Sequence, residues 1–170
     1  QGIGDIVKTI LLALVLVIAI IYLFLQSWRA TLIPLIAVPV SLIGVFILYP
    51  VLGFSLNVIS LLATVLAIGL VVDDAIVVVE AAEAGIERGL SAREAAIEAM
   101  RRVQSPIIAT TVVLLAVFVP ASFMGGITGL LFEQFAITIS MAISLSAFNA
   151  LTLSPALCAL LLRKREPLTR

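Results

Sequence analysis

Five long apolar segments constrain the fold of this 170-residue chain more than any single motif does. A helix needs about 20 consecutive apolar residues to cross a bilayer, because each residue advances it by about 1.5 Å. Segments of that length lie at approximately residues 8–25, 32–52, 56–79, 106–124 and 136–162. Backbone groups in lipid must be hydrogen-bonded within the segment, and continuous apolar runs favour helices over alternating barrel strands. The sequence therefore predicts an all-α, polytopic membrane helix bundle with five transmembrane helices.

Composition supports this assignment, since 63% of the residues are hydrophobic and only 12% are charged. Soluble domains carry about 25% charged residues. The formal net charge is zero, so no general attraction to nucleic acid is expected. The lone Cys158 has no disulfide partner in the chain and is expected to be a small buried apolar residue. Residues 1–5 lack an initiator Met and a signal-peptide pattern, so residues 1–170 are interpreted as a partial transmembrane domain of something longer.

The basic residues predict the orientation in the membrane. If five helices alternate, nine of the ten basic residues fall on one side, and Lys8 alone lies on the other. By the positive-inside rule the basic side is cytoplasmic. The two exterior connections, 49–55 and 125–133, are expected to be short turns with Glu133 as their one charge. The nine basic residues are Arg29, Arg88, Arg93, Arg101, Arg102, Arg163, Lys164, Arg165 and Arg170.

The connection between the third and fourth spans contains a capping-box pattern, in which Ser91 is followed by Glu94. Alanines then recur at three- and four-residue spacing, with charged residues on the other faces. This pattern predicts a short cytoplasmic amphipathic helix over residues 91–103, lying on the membrane surface. A connector is the simpler interpretation, and a docking or regulatory role stays open.

Asp73 and Asp74 are adjacent within the third span, which is otherwise nearly free of polar residues. A carboxylate near the centre of a spanning helix costs about 3 kcal/mol even on the lenient insertion scale. Desolvation and mutual repulsion oppose ionisation of both groups unless a cation is near. The pair therefore predicts an ion or proton site. The alternative is a pair held permanently by a basic residue on another helix.

The helical period assigns the two carboxylates to different faces, because successive residues point about 100° apart. Asp74 shares a face with Val71, Ala67, Thr64 and Ser60, whereas Asp73 lies near Gly69 and is seven residues from Glu80. Gly69 would permit another helix to approach closely. Thr64, Gly69 and Glu80 are therefore candidate supporting residues.

Other chemistries are less well supported. The chain has no His and one Cys, which argues against a metal site, and no Ser or Cys has a His or Lys base for nucleophilic catalysis. An intramembrane aspartyl protease needs two aspartates on different helices, so transport is favoured over an enzyme. Hydroxyl and amide side chains of the last span could line a water path, although bonding to their own helix's carbonyls is the favoured interpretation. They are Ser140, Ser144, Ser146 and Asn149.

The segment 69–80, GLVVDDAIVVVE, closely resembles the fourth transmembrane helix of the resistance-nodulation-division (RND) exporters, in their hydrophobe/amphiphile multidrug branch. Similar family sequence covers nearly the whole chain. It includes 22–34 (YLFLQSWRATLIP), 37–39 (AVP), 116–120 (AVFVP), 123–129 (FMGGITG) and 153–159 (LSPALCA). One departure is Ala81, where the family usually has Asn after the glutamate.

The resemblance implies that the five spans are helices two to six of a twelve-helix transporter in the bacterial inner membrane. It also implies that Asp73 and Asp74 are the proton relay of a proton/drug antiporter, with protons as coupling ion and no other cofactor. The family's lysine partner and drug pocket would lie outside this chain, in the second-half transmembrane bundle and the exterior porter domain. A homotrimer, a periplasmic adaptor and an outer-membrane channel are implied as well.

Two alternatives remain at this point. The chain could be an inert or assembly-competent membrane scaffold, or it could serve protein translocation or lipid export driven by the same ion site. The sequence of the exterior domain would separate the second alternative from drug export.

Overall fold

The computed structural model describes residues 2–163, and this part of the chain is helical without any strand. Within these residues, five stretches are long and apolar enough to cross a membrane, which confirms the predicted class. The last stretch contains two consecutive helices. The helices are α1 (Gly2–Leu25), α2 (Trp28–Leu52), α3 (Val58–Glu87), α4 (Ala92–Ala121), α5 (Gly126–Leu151) and α6 (Leu153–Leu161).

Helix α3 is the centre of the bundle, since it packs against each of the other five helices. Small side chains dominate its buried faces, including Ala63, Ala67, Ala75 and Ala82. Small residues let neighbouring helix backbones approach closely where lipid gives no hydrophobic drive for association. The carboxylates are thereby placed on the best-packed helix of the bundle.

Helices α1 and α4 lie at the periphery and expose large apolar side chains. Leu12 on α1 is 61% exposed, and Val113 on α4 is 62% exposed. In a soluble protein such continuous apolar exposure would be a liability, whereas lipid solvates it. These faces are therefore the expected lipid-facing or partner-facing sides.

Local capping chemistry sets two helix starts. The Asn57 side chain accepts a hydrogen bond from the Ser60 amide at 2.9 Å, and the Ser60 hydroxyl accepts one from the Asn57 amide at 2.7 Å. In the same way Glu94 Oε2 accepts a hydrogen bond from the Ser91 amide at 3.0 Å. The capping box predicted for Ser91 and Glu94 is thus confirmed.

The predicted separate surface helix, 91–103, is wrong as a separate element. It is the first part of α4, which continues without interruption into the fourth span and contains Pro106. Proline removes the hydrogen bond to the carbonyl four residues earlier, here that of Arg102. Arg102 is exposed, and α4 continues through the proline without interruption.

The last span also differs from its prediction of 136–162. Helix α5 begins at Gly126, so Glu133 is helical and the exterior turn is shorter than expected. Thr152 (φ −124°, ψ −65°) separates α5 from α6. Pro155 accounts for the break, because it has no amide to donate to the Leu151 carbonyl.

The cytoplasmic assignment of the basic side stays a prediction. Arg29, Arg88, Arg93, Arg101, Arg102 and Arg163 lie at or near one set of helix ends, as the alternating topology requires. The remaining basic residues of the predicted tail, Lys164, Arg165 and Arg170, lie outside the described residues.

Gly85 is the position where a side chain would most disturb the packing of α3 on α4. A Cβ added at Gly85 would lie 2.9 Å from the Ala95 Cβ and 3.1 Å from its Cα. Gly85→Leu is therefore expected to destabilise the bundle by about 2 kcal/mol, as overpacking typically does. Thermal unfolding in detergent checks this.

Gly69→Leu is the matched control, since nothing lies within 4 Å of a Cβ there. It is expected to leave the melting temperature of the chain unchanged. Equal destabilisation by both substitutions would show that the α3–α4 contact at Gly85 is not specially close.

Candidate functional site

Asp73 and Asp74 lie midway along α3, and the structure divides them between two environments. Asp73 is exposed, whereas Asp74 is partly buried. Ser60, Thr64 and the rest of the predicted Asp74 face are buried inside the bundle. The division of faces predicted from the helical period is therefore confirmed.

Asp74 is positioned by a hydrogen bond from α5. The hydroxyl of Ser146, itself buried, donates to Asp74 Oδ2 at 2.6 Å and lies 3.4 Å from the Val71 carbonyl. A hydrogen bond to an ionised acceptor is roughly twice as strong as a neutral one. Ser146 therefore fixes the rotamer of one carboxylate and leaves the other open.

The favoured interpretation of the hydroxyl residues on the last span is right for two of them and wrong for Ser146. Ser140 and Ser144 donate to the carbonyls of Ala136 and Ser140, each at 2.8 Å, on their own helix. Asn149 likewise bonds to another helix, since its side-chain amide donates to the Ser41 hydroxyl of α2 at 2.8 Å. The helical period of the sequence could have indicated these contacts between helices, since Ser146 and Asn149 share the buried side of α5 with Ala142.

A cavity of about 260 Å³ opens between α3 and α4 at the level of the two carboxylates. Asp73 and Asp74 line it from α3, and Thr110 and Thr111 line it from α4. Its other walls are apolar, formed largely by Leu70, Val77, Ile107, Leu114 and Ile143. Liquid water occupies about 30 Å³ per molecule, so the space has room for several waters beside the carboxylates.

The two threonines of this cavity are functional candidates that the sequence did not single out. The Thr111 hydroxyl donates to the Ile107 carbonyl at 2.7 Å. The Thr110 hydroxyl lies 3.0 Å from the Pro106 carbonyl. Each hydroxyl oxygen keeps its lone pairs available to water in the cavity. The sequence feature that could have identified them is their position as polar residues within the apolar part of α4.

Neither carboxylate has a basic partner among residues 2–163. The nearest arginines in the sequence are paired with Glu98, which binds Arg88 at 2.9 Å and Arg102 at 2.8 Å near the connection between α3 and α4. The ten basic residues of the sequence all lie outside the central part of the spans. The described residues therefore place no arginine or lysine where it could compensate the charge of the pair.

Two of the predicted supporting residues, Thr64 and Glu80, are not brought together with the pair. Thr64 is buried about three turns from Asp74 and donates to the Ser60 carbonyl at 2.7 Å. Glu80 is exposed and lines a different cavity of about 560 Å³, with Arg29, Glu83 and Arg163 among its lining residues. Gly69 is exposed, and no described helix approaches it.

The end of the bundle opposite the basic residues is held by a second set of polar contacts. The Tyr49 and Thr138 hydroxyls lie 2.8 Å apart between α2 and α5. The Gln134 side-chain amide donates to the Ser55 carbonyl at 2.6 Å. The first contact connects two helices and the second connects α5 to the turn between α2 and α3, so we assign both to packing. Cys158 is buried and its thiol is free, as predicted.

Within residues 2–163, no three His, Cys, Asp or Glu side chains form a cluster that would hold a metal ion. The chemistry available at the Asp73 and Asp74 cavity is therefore that of two carboxylates, hydroxyl groups and water. Such a set binds and releases protons or takes a cation by its oxygens.

Comparisons with known proteins agree with this description. The chain is 49% identical over 163 residues to the Multidrug export protein AcrF of Escherichia coli, covering 95% of this chain and 16% of AcrF. It is 50% identical over 166 residues to the Toluene efflux pump membrane transporter TtgE of Pseudomonas putida, covering 97% of this chain and 16% of TtgE.

A third relative is the Multidrug resistance protein MdtC of Pectobacterium atrosepticum, 47% identical over 162 residues, with 95% of this chain and 16% of MdtC covered. The chain thus spans about a sixth of the length of these curated relatives. The AcrB/AcrD/AcrF family matches residues 1–169. The match is nearly complete over the chain and confirms the resemblance, so the chain belongs to the AcrB/AcrD/AcrF family of RND multidrug efflux transporters.

Proposed function

We propose that this chain is the proton-relay half of the transmembrane domain of a proton-driven multidrug exporter. Asp73 and Asp74 take up protons from the exterior side and release them towards the cytoplasm. The observation that carries the proposal is a pair of carboxylates midway along the central helix, beside a cavity with room for water. A helix that served only as an anchor would have no use for such a pair, since carboxylates are costly at that depth.

The two carboxylates have complementary roles in this proposal. Asp73 is the more exposed and exchanges protons with water in the cavity. The Ser146 hydroxyl orients Asp74 by its hydrogen bond of 2.6 Å. The charge of Asp74 interacts with that of Asp73, because the two residues are adjacent. Because two close charges in a low dielectric repel, the proton occupancy of one group depends on that of the other.

Coupling follows from the charge of the pair. Ionised carboxylates attract a basic group in the second-half transmembrane bundle, and protonation removes that attraction. The two half-bundles then shift relative to each other, as in transporters that rock around a site near the midplane. Gly69 lies on the same open side of α3 as Asp73 and would permit the close approach of that second bundle.

The intact protein is then a secondary active transporter and not an enzyme. Its drug pocket lies in an exterior porter domain outside this chain. The names of the relatives, which specify multidrug export and toluene efflux, support apolar or amphiphilic compounds as the transported class. A homotrimer in the bacterial inner membrane, joined to a periplasmic adaptor and an outer-membrane channel, is the assembly we propose.

The proposal is tested by measuring coupling in the intact transporter reconstituted into vesicles with an internal pH dye and ethidium as substrate. A pH gradient alone should drive ethidium transport, and replacing sodium by choline should leave the rate unchanged. Transport driven by a sodium gradient and indifferent to the pH gradient would contradict proton coupling.

Ser146→Ala should reduce export several-fold without preventing folding, because it removes the hydrogen bond that orients Asp74. Hydrogen bonds to charged groups contribute roughly 1.5–3 kcal/mol. Ser146→Thr keeps the hydroxyl and should restore most of the rate. The measurement is initial ethidium efflux from cells with matched expression.

Ser144→Ala is the control, since the Ser144 hydroxyl bonds only to the Ser140 carbonyl of its own helix. Its export rate should match that of the unsubstituted protein. If Ser146→Ala were equally active, the hydrogen bond would be structural and Ser146 would not be a positioning residue for the relay.

A further inference from the structure

A groove of about 440 Å³ lies between the first half of α4 and α6, away from the carboxylate pair. We call it the α4–α6 groove. Arg93, Ile97 and Arg101 line it from α4, and Pro155 and Ala159 line it from α6. Its walls thus combine two arginines with apolar side chains.

The groove is cationic because its arginines keep their charge uncompensated. Neither Arg93 nor Arg101 forms an ion pair with another residue in the range 2–163, and both side chains are exposed. The two carboxylates on this part of α4 are already engaged. Glu98 binds Arg88 and Arg102, and Glu94 accepts hydrogen bonds from Ser91.

The length of α4 places this groove at the headgroup level of the membrane. The helix has 30 residues, or about 45 Å at 1.5 Å per residue, whereas the hydrocarbon core is about 30 Å thick. Roughly ten residues therefore extend beyond the core. The apolar part of α4 runs to Ala121, so the excess is the segment that carries Arg93 and Arg101.

The apolar floor of the groove continues towards the hydrocarbon. Ile97 is 50% exposed although it lies between the two arginines on the same face of α4. Met100 and Ala159 also line the groove and are only partly buried. A soluble anion would cover the arginines and leave these residues in water, whereas a lipid would cover both.

We propose that the α4–α6 groove binds an anionic phospholipid of the cytoplasmic leaflet. The phosphate lies between Arg93 and Arg101, whose planar guanidinium groups suit two-point contacts with phosphate oxygens. One acyl chain packs against Ile97, Met100 and Ala159. The inference is independent of the proton relay, since none of these residues lines the carboxylate cavity.

Native mass spectrometry of the intact protein, released from detergent containing equal phosphatidylglycerol and phosphatidylcholine, tests the proposal. The unsubstituted protein should retain phosphatidylglycerol in preference to phosphatidylcholine. An arginine near the membrane surface strengthens binding of anionic lipid about fivefold, so Arg93→Gln with Arg101→Gln should lower the relative affinity for phosphatidylglycerol by about 30-fold.

The charge-matched control is Arg88→Gln with Arg102→Gln, which removes two arginines of the same region that do not line the groove. Because Glu98 holds both of these arginines in ion pairs outside the groove, this variant should keep the preference for phosphatidylglycerol. Ala159→Phe, which fills the groove without changing charge, should reduce retention of both lipids, and circular dichroism verifies that it remains helical.

Three results would overturn the proposal. Equal loss in the control variant would mean that overall charge, not the groove, selects the lipid. Unchanged retention in Ala159→Phe would mean that no acyl chain lies there. Equal retention of the two lipids by the unsubstituted protein would exclude an anionic lipid and favour an acidic protein segment as the occupant.

Discussion

Replacing either Asp73 or Asp74 by Asn in the intact transporter is expected to reduce proton-driven export to the background of cells that lack the protein. Asn matches Asp in size and keeps a hydrogen-bonding side chain, but it cannot gain or lose a proton at these pH values. Asp74→Asn also still accepts the hydrogen bond from Ser146, so packing of α3 on α5 should be preserved. The measurement is ethidium efflux and drug resistance at equal expression.

Asp5→Asn is the matched control, since Asp5 lies in the first turn of α1, far along the chain from the cavity, and is exposed. It should export normally. A fully active Asp73→Asn or Asp74→Asn protein would remove that residue from the relay. Loss of membrane insertion in either variant would instead show that the carboxylate is needed for folding.

Strictly local chemistry explains why much of the fold could be predicted. The five spans follow from apolar length, and the Asn57 and Ser91 caps follow from side chains that bond within three residues. The assignment of Thr64 and Asp74 to one face of α3, and of Asp73 to another, follows from the helical period alone. Each of these features depends on neighbours in the sequence.

Features that depend on competition between local effects were harder to predict. Residues 91–103 were expected to form a helix separate from the fourth span, but α4 continues through Pro106 without interruption. Pro155 lies in the interior of a predicted span and does interrupt it, at Thr152. The same residue type thus gave different outcomes in two environments.

The candidate site was predictable in its acids and not in its surroundings. Asp73 and Asp74 are conspicuous because their cost in a membrane is large. The partner of Asp74 depends on how α5 is rotated against α3, which no short sequence pattern specifies, so Ser146 was assigned to its own helix. Glu80 was placed near the pair by sequence spacing, but it faces another cavity.

If Asp73 and Asp74 exchange protons within the membrane, this 170-residue chain should show it even by itself. Its described residues place no arginine or lysine beside the pair, and the central parts of its spans contain none. Desolvation and mutual repulsion then act on the carboxylates with little opposing them. At least one should hold a proton near neutral pH, and the chain alone should move no substrate.

Infrared difference spectroscopy of the chain in lipid bilayers is the measurement that tests this claim most directly. We expect a protonated-carboxyl band near neutral pH that disappears in the Asp73→Asn, Asp74→Asn double variant and persists in Asp5→Asn. A spectrum in which the pair is fully ionised, with no band that the double variant removes, would contradict the account.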